Sequence, residues 1–284
     1  MKFLAVFKGR HIHGADICEG DTKREARAAL TESNLVLYTD EEVRAGAVNK
    51  FNLGAIVEEF LQESDDTNVK KAARWYLIGS DYVWPWLSHR ATKKYIAGAG
   101  GRVVGEEFVR LGEHDHSAHI ERIRAAKPDV VLISLIGTDS IVFNRAFAEQ
   151  GLAGKMLRLG GAMDETLLFG IGADNTENLF CASGYFVDMA TRENEVFRCQ
   201  YEASFGRYAP PLGSVGQSNY EGLRFLETVA SRAGSLAVKP LLASAMNVDY
   251  DGARGRVGIR RGTASMPIYL AEADGLDFKL IKRF

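Results

Sequence analysis

The chain has little cysteine, almost no charge imbalance and no long apolar run, and each shortage removes a class of protein. Three cysteines in 284 residues, Cys18, Cys181 and Cys199, leave at least one thiol unpaired, and their wide spacing fits no zinc or redox pattern. A disulfide framework is therefore not expected. A formal net charge of -2 provides no electrostatic pull toward nucleic acid or anionic lipid, so nucleic acid is not expected as a direct partner. No stretch approaches the ~20 apolar residues of a membrane helix, and membrane insertion is not expected. The opening segment, residues 1–8, is too short and too soon charged for a secretion signal and reads as a first strand.

Catalytic signatures are missing as well. There is no Gly-x-Ser-x-Gly elbow, no Walker loop and no Gly-x-Gly-x-x-Gly after the first strand. Gly170-Ile171-Gly172 follows a helical stretch and lacks both the strand before it and a third glycine. The run His114-Asp115-His116-Ser117-Ala118-His119 approaches the HxHxDH metal pattern but carries Ala118 where an aspartate is needed. Its histidines are expected at the solvated start of a helix, with no metal. Glu106 and Glu107 are adjacent in a strand, where neighbouring side chains point to opposite faces, so they cannot work as a catalytic pair. No nucleophile, base and orienter come together; neither catalytic residues nor a cofactor are expected, and the chain is read as a non-enzyme.

What is present is a repeating alternation. From residue 74 onward, short β-branched runs at 74–78, 102–109, 129–135, 156–159 and 178–182 alternate with helix-period segments. Pro85 opens one helix and Gly98 to Gly101 closes it; Ser117 opens the next and Pro128 follows its end. Helices are also expected at 138–150 and 191–208, the latter ending near Pro210-Pro211. Five βα units imply a mostly parallel, doubly wound sheet. Before residue 74 the pattern is thinner: strands at 2–7 and 34–38, helices at 22–31 and 53–62. After Pro211 come helices at 218–233 and 239–245 and β segments at 255–260, 266–271 and 278–281. With 46% hydrophobic and 25% charged residues in 284, the chain suits two lobes of roughly 100–150 residues.

The most informative stretch is Arg74 to Pro85, where the apolar run Trp75-Tyr76-Leu77-Ile78 stops in the small, polar and aromatic loop Gly79-Ser80-Asp81-Tyr82-Val83-Trp84. Loops at the carboxyl ends of parallel strands open into the crevice where such sheets hold ligands. Gly79 and Ser80 are expected to let the backbone approach a ligand, with Tyr82 and Trp84 offering flat apolar faces and polar edges. The competing reading is an ordinary βα connection whose aromatics fill the core.

This loop is followed in order by Gly100-Gly101-Arg102-Val103-Val104-Gly105-Glu106-Glu107, Ala125-Ala126-Lys127-Pro128-Asp129-Val130-Val131 and Gly170-Ile171-Gly172-Ala173-Asp174-Asn175. Tyr220-Glu221-Gly222, Ala233-Gly234-Ser235 and Asp251-Gly252-Ala253-Arg254-Gly255 continue the series. Together they resemble type I solute-binding proteins of ABC transporters, in the branch that includes urea-, short-chain-amide- and branched-chain amino-acid-binding receptors and the cytoplasmic amide-sensing regulator of amidase operons. The resemblance implies an α/β protein of two Rossmann-like lobes with parallel sheets and a multi-strand hinge, closing on a solute without reacting with it. The lobes it implies are 1–72 plus 211–250, and 73–210 plus 251–284, the first shorter than is usual in the family. It also implies a small-molecule ligand (amide, urea derivative or amino acid), an ABC permease as partner and a periplasmic or extracytoplasmic location. The alternative is a cytoplasmic regulator with an antiterminator partner.

Site residues carried over by the resemblance are Trp84, where amide and urea binders place a stacking aromatic, and its neighbour Tyr82. Ile136, Gly137 and Thr138 follow the third strand of the middle block, and the amides opening the next helix are expected to donate to a carbonyl oxygen. Tyr38 matches a first-lobe pocket tyrosine. Asp40 lies where a hydroxyl is usual and would favour a ligand with N–H donors. Tyr185 ends another strand, and Gln217 with Tyr220 sits at the return crossing, where related amino-acid binders use an acidic side chain. Because Gln217 is neutral, a ligand amine would have to find Asp40 or Asp139.

Overall fold

The computed structural model describes residues 2–7, 15–19, 35–39, 74–206, 208–260 and 263–284. Its centre is a seven-stranded sheet in the order β13-β12-β8-β7-β6-β4-β5. The strands are β4 (Arg74–Ser80), β5 (Arg102–Val109), β6 (Val130–Ser134), β7 (Leu157–Gly160) and β8 (Leu179–Ser183), all parallel, plus the antiparallel pair β12 (Tyr269–Asp274) and β13 (Asp277–Arg283) on the β8 edge. The connecting helices are α1 (Val83–Gly98), α2 (Ser117–Ala126), α3 (Gly137–Glu149), α4 (Glu165–Ile171) and α5 (Arg192–Phe205). The alternation read from the sequence is therefore a parallel-dominated α/β sheet.

The period of two along each strand sorts the core into two layers. On one face Tyr76, Ile78, Val131 and Ile133 pack with Ile120 and Ile123 of α2 and with Phe143 and Phe147 of α3. On the other, Trp75, Leu77, Val130 and Leu132 pack with Ile96 of α1. Both faces being covered is what the unbroken apolar runs of the middle strands require. Each fully buried leucine or phenylalanine here contributes roughly 1.5–3 kcal/mol of transfer free energy.

After α5 the chain continues into α6 (Ser214–Ala233) and α7 (Val238–Ala245). Then comes a second, three-stranded antiparallel sheet of β9 (Asn247–Gly252), β10 (Gly255–Arg260) and β11 (Thr263–Ser265). Of the late β segments, only those at β12 and β13 join the main sheet. The expected lobe boundary at residue 250 falls inside β9.

Near the start, β1 (Lys2–Phe7) pairs antiparallel with both β2 (Ala15–Glu19) and β3 (Leu35–Thr39). Sequence reading anticipated βα units there and no strand at 15–19. The connection of residues 8–14 is too short for a crossover helix, so an antiparallel partner is the geometry open to it. The helices expected at 22–31 and 53–62 lie outside the described residues. Among the described residues no helix is long and apolar enough to cross a membrane.

Candidate functional site

The parallel strands β4 and β6 are neighbours, and Gly79 and Ser134 are register partners at their carboxyl ends. Each strand runs into a helix whose first turn lacks a side-chain cap. Tyr82 is the extended residue before α1, and Ile136 the one before α3. The amides of Val83 and Trp84, and of Gly137 and Thr138, therefore have no intrahelical acceptor. Two helix starts, each with its positive dipole end, arise side by side from adjacent strands. Gly137 has φ +53°, in the left-handed region, which only glycine enters without cost, and it turns the chain from β6 into α3.

The sequence-predicted residues of this end come together. Tyr82 and Trp84 are both half-buried, their ring centroids 6.3 Å apart with planes tilted 34°. Burial raises the pKa of the Tyr82 hydroxyl, which keeps it a neutral donor. The β4 loop is tied to the β6 loop by a hydrogen bond from the Ile136 amide to the Ser80 hydroxyl oxygen, 3.4 Å. Gly137 and Thr138 stand exposed just beyond. Asp81 is fixed by its own amide, which donates to the Val109 carbonyl at 2.7 Å, and accepts from Trp86 Nε1 at 3.0 Å.

One expectation for this loop is corrected. Gly79 does not open the backbone to a ligand: a Cβ there would stand 2.7 Å from Pro85 Cβ and 3.1 Å from His89 Nε2. The missing side chain is what lets α1 pack against the end of β4. A second correction concerns the histidine run. His116 is buried, with Phe143 edge-on at 5.5 Å, and both ring nitrogens lack partners. Burial is the first cause that holds it below its ordinary pKa. His119 lies 2.5 Å from Glu107. No group of three metal-ligating side chains fit to hold an ion occurs among the described residues.

Glu106 and Glu107 do face opposite ways. Glu106 pairs with Lys93 of α1 at 2.7 Å, whereas Glu107 takes both Arg122 nitrogens of α2 at 2.7 and 2.8 Å and the Tyr76 hydroxyl. Burial works to raise the Glu107 pKa, but the Arg122, Tyr76 and His119 bonds outweigh it and bring it to about 2.

The remaining expected residues have partners of their own, lie in β3 or fall outside what is described. Tyr185 is fully buried and donates to Asn194 Oδ1 at 2.9 Å. Its ring meets Phe197 edge-on at 6.4 Å. Gln217 is buried between Arg254, which donates to its Oε1, and Glu221 Oε2, which accepts from its Nε2. Both ends of its amide are thereby occupied. Tyr220 packs on Phe197, ring centroids 4.6 Å apart and planes tilted 35°, and donates to Gln200 Oε1 at 3.1 Å. Asp139 is buried and accepts from the Gly112 amide at 3.0 Å. Tyr38 lies in β3 opposite Leu4 of β1; Asp40 lies outside the described residues.

Residues 57–277 match the sequence profile of the periplasmic binding proteins. The chain belongs to that family. Its fold is also that of solved binding proteins. With a solute-binding protein of an ABC transporter from R. palustris, in complex with 4-hydroxybenzoate, it shares 21% identity and a TM-score of 0.74 over 83% of this chain and 65% of that one. An amino acid ABC transporter substrate-binding protein from Pseudomonas fluorescens Pf-5 gives 19% identity and a TM-score of 0.68 over 80% of this chain and 64% of that one. A branched-chain amino acid ABC transporter periplasmic ligand-binding protein from Burkholderia xenovorans LB400 gives 17% and 0.66, over 81% and 63%. The chain thus spans less than two thirds of the length of each of these structures.

In this binding protein the sequence motifs also mark residues that were not singled out as functional. Tyr220-Glu221-Gly222 and Asp251-Gly252-Ala253-Arg254-Gly255 supply the two halves of a buried ion pair, Arg254 Nε to Glu221 Oε2 at 3.0 Å. Asp164 and Glu165, between β7 and α4, were not anticipated. Asp164 accepts from the Ser214 amide and hydroxyl at 2.8 and 3.0 Å, fastening the start of α6 to the main sheet. Glu165 accepts from the Val187 amide at 2.8 Å, and burial lifts its pKa to about 7. Only the register of the fold brings these acids to the strand ends, and no local pattern announces it.

Proposed function

We propose that this chain is the solute-binding component of an ABC importer, which holds a small planar polar solute, unreacted, at the carboxyl ends of β4 and β6. The observation that carries the reading is the juxtaposition of Tyr82 and Trp84 with the uncapped starts of α1 and α3. An aromatic face receives the plane of the ligand, and the open amides donate to its oxygen. Amides and urea derivatives meet that description, amino acids meet it through their planar carboxylate, and so do aromatic acids such as the 4-hydroxybenzoate bound by the R. palustris protein. The partner is a permease, and the site of action is outside the cytoplasmic membrane.

Residues 1–72 plus 211–250 are taken as the opposing lobe, with Tyr38 and Asp40 as its contribution. Ligand contacts both lobes only when they close, so its differential affinity shifts the population toward the closed form that the permease reads. A thermal-shift screen of amides, ureas, amino acids and hydroxybenzoates, followed by calorimetry on the hits, tests this directly, since a solute that binds only the folded form raises its apparent stability. A chain that no member of these classes stabilises, or whose affinity for a hit is unchanged in Trp84→Ala, contradicts the proposal.

A further inference from the structure

The loop that carries Tyr82 and Trp84 is pinched at its base. Gly79 and Pro85 bound it, and a Cβ at Gly79 would stand within 3.2 Å of Pro85 Cβ and of both Nε2 and Cε1 of His89. His89 follows Pro85 by one helical turn on the same face of α1, so its ring sits under the base of the loop. It is fully buried and stacked on Phe108 of β5, ring centroids 5.0 Å apart and planes tilted 29°. Trp86 lies edge-on to the same Phe108 at 6.4 Å and bonds Asp81, which links this ring pair to the loop by a second route. Neither nitrogen of His89 has a hydrogen-bond partner. Ser134, the register partner of Gly79, follows Val130 and Leu132 on the same face of the sheet, and its buried hydroxyl has no partner either. A buried polar ring without a bond costs free energy that an apolar side chain would not. Such a residue is expected where function rather than packing selects it.

We propose that His89 is a positioning residue for the strand-end site: its uncharged ring holds the base of the loop 80–84 in place, and a proton taken up there turns the ring toward Glu106 and releases the loop. Among the described residues the charged groups that face it are Glu106 of β5 and Lys93 of α1. Glu106 Oε1 is 3.3 Å from Nδ1, near enough to attract a cation but misaligned for a hydrogen bond, and Oε2 already accepts from Lys93 at 2.7 Å. An imidazolium gains Oε1 only by rotating, and rotation takes the ring off Gly79. Burial outweighs the pull of Glu106 and lowers the histidine pKa to about 4. The loop is therefore held throughout the neutral range and loosened in acid. The inference rests on the strand-end reading proposed above, which supplies the reason for holding this loop.

The first readout needs no solute. Of the 3 tryptophans, Trp75 is fully buried, so iodide quenching reports the loop pair Trp84 and Trp86. In the wild type the quenching constant is expected to rise between pH 6.5 and about 4 while far-UV dichroism stays unchanged. His89→Gln shows no such rise, and Glu106→Gln, which removes the acceptor for the cation, moves it to lower pH. The second readout is calorimetry with benzamide, which has no group titrating in this range. Half of the wild-type molecules carry the proton at about pH 4, so the apparent Kd there is expected to be about twice that at pH 6.5, and constant in His89→Gln. An equal rise in His89→Gln, no rise in a wild type still folded at pH 4, or a rise that coincides with unfolding would each overturn the inference. Benzamide binding that needs Trp84 yet is constant with pH would do the same. A chain that shows the quenching step but binds neither benzamide nor any screened solute through Trp84 keeps its loop under the control of His89 and fails only the function proposed above.

Discussion

The Ile136 amide donates to the Ser80 hydroxyl oxygen across the ends of two adjacent parallel strands, and this one bond joins the two loops that carry the aromatic pair and the helix start. Ser80 is fully buried, so its oxygen is not exchangeable for water. Ser80→Ala leaves the Ile136 amide without an acceptor; a loss of roughly 1 kcal/mol in denaturant-derived stability is expected. Because the bond also sets loop spacing, solute affinity falls in the same variant, whereas Ser80→Thr, which keeps the oxygen, retains most of it.

Two tryptophans two residues apart should behave differently. Trp84 is half-buried beside Tyr82, whereas Trp86 is 48% exposed, bonded to Asp81 and edge-on to Phe108 at 6.4 Å. Trp84→Ala is expected to weaken solute binding by at least ~1 kcal/mol, the loss of a stacked aromatic contact. Trp86→Ala is expected to lower stability by a similar amount and leave affinity nearly intact. Calorimetry and thermal unfolding on both variants separate the two effects, and equal affinity losses would show that the loop acts as one unit.

The buried ion pair gives a third expectation. Arg254 and Glu221 have side chains only 9% and 6% exposed, and Arg254 also donates to the Ser218 hydroxyl and to Met266 Sδ. Removing one partner strands the other charge, so Arg254→Ala or Glu221→Ala alone should cost about 3–5 kcal/mol. Replacing both, as Arg254→Met with Glu221→Leu, should recover most of that loss. Chemical denaturation of the three variants checks the pattern, and additive losses in the double variant would mean the pair is not coupled.

How far the sequence could be read follows from how local each cause is. The parallel strands and α1 to α3 were legible because continuous apolar runs, Pro85, Gly98 to Gly101 and Pro128 act within a few residues of themselves. Tyr82, Trp84 and Ile136 to Thr138 were placed at one end because strand direction alone puts successive βα loops on the same edge. Gly79 was misread, since a glycine that admits a helix and one that admits a ligand look identical in sequence. The histidine run was misread for a similar reason: His116 is buried by Phe143 of α3, a neighbour contributed by the next βα unit. Of the β9-β10-β11 sheet only the strand at 255–260 was legible; β9 and β11 and their pairing with it were not, because these short, charged strands show little alternation, and Arg256 and Arg260 there pair with Asp249 and Asp251 rather than packing.

Two buried titrating groups set opposite slopes of stability against pH. His89 is fully buried, stacked on Phe108 at 5.0 Å, and burial lowers its pKa from 6.5 to about 4, although Glu106 Oε1 lies 3.3 Å from Nδ1 without the alignment of a hydrogen bond. Its folded value is depressed, so the unfolded chain binds a proton first. The stability this histidine contributes is complete above pH 6.5 and is lost as pH falls toward 4, by up to roughly 3 kcal/mol. Glu165 is the reverse case. Burial raises its pKa from 4.5 to about 7, so its contribution is complete below pH 4.5 and is lost as pH rises through 7, on a similar scale. The two trends oppose each other between pH 4.5 and 6.5, and the wild type should show a shallow profile there. His89→Gln removes the acid-side loss and exposes stability that declines steadily from pH 4.5 to 7. Glu165→Gln removes the alkaline-side loss and exposes stability that rises with pH up to 6.5. Urea denaturation of the three proteins at half-unit pH steps reads the slopes, and parallel profiles would show that neither group titrates in the folded protein as its burial requires.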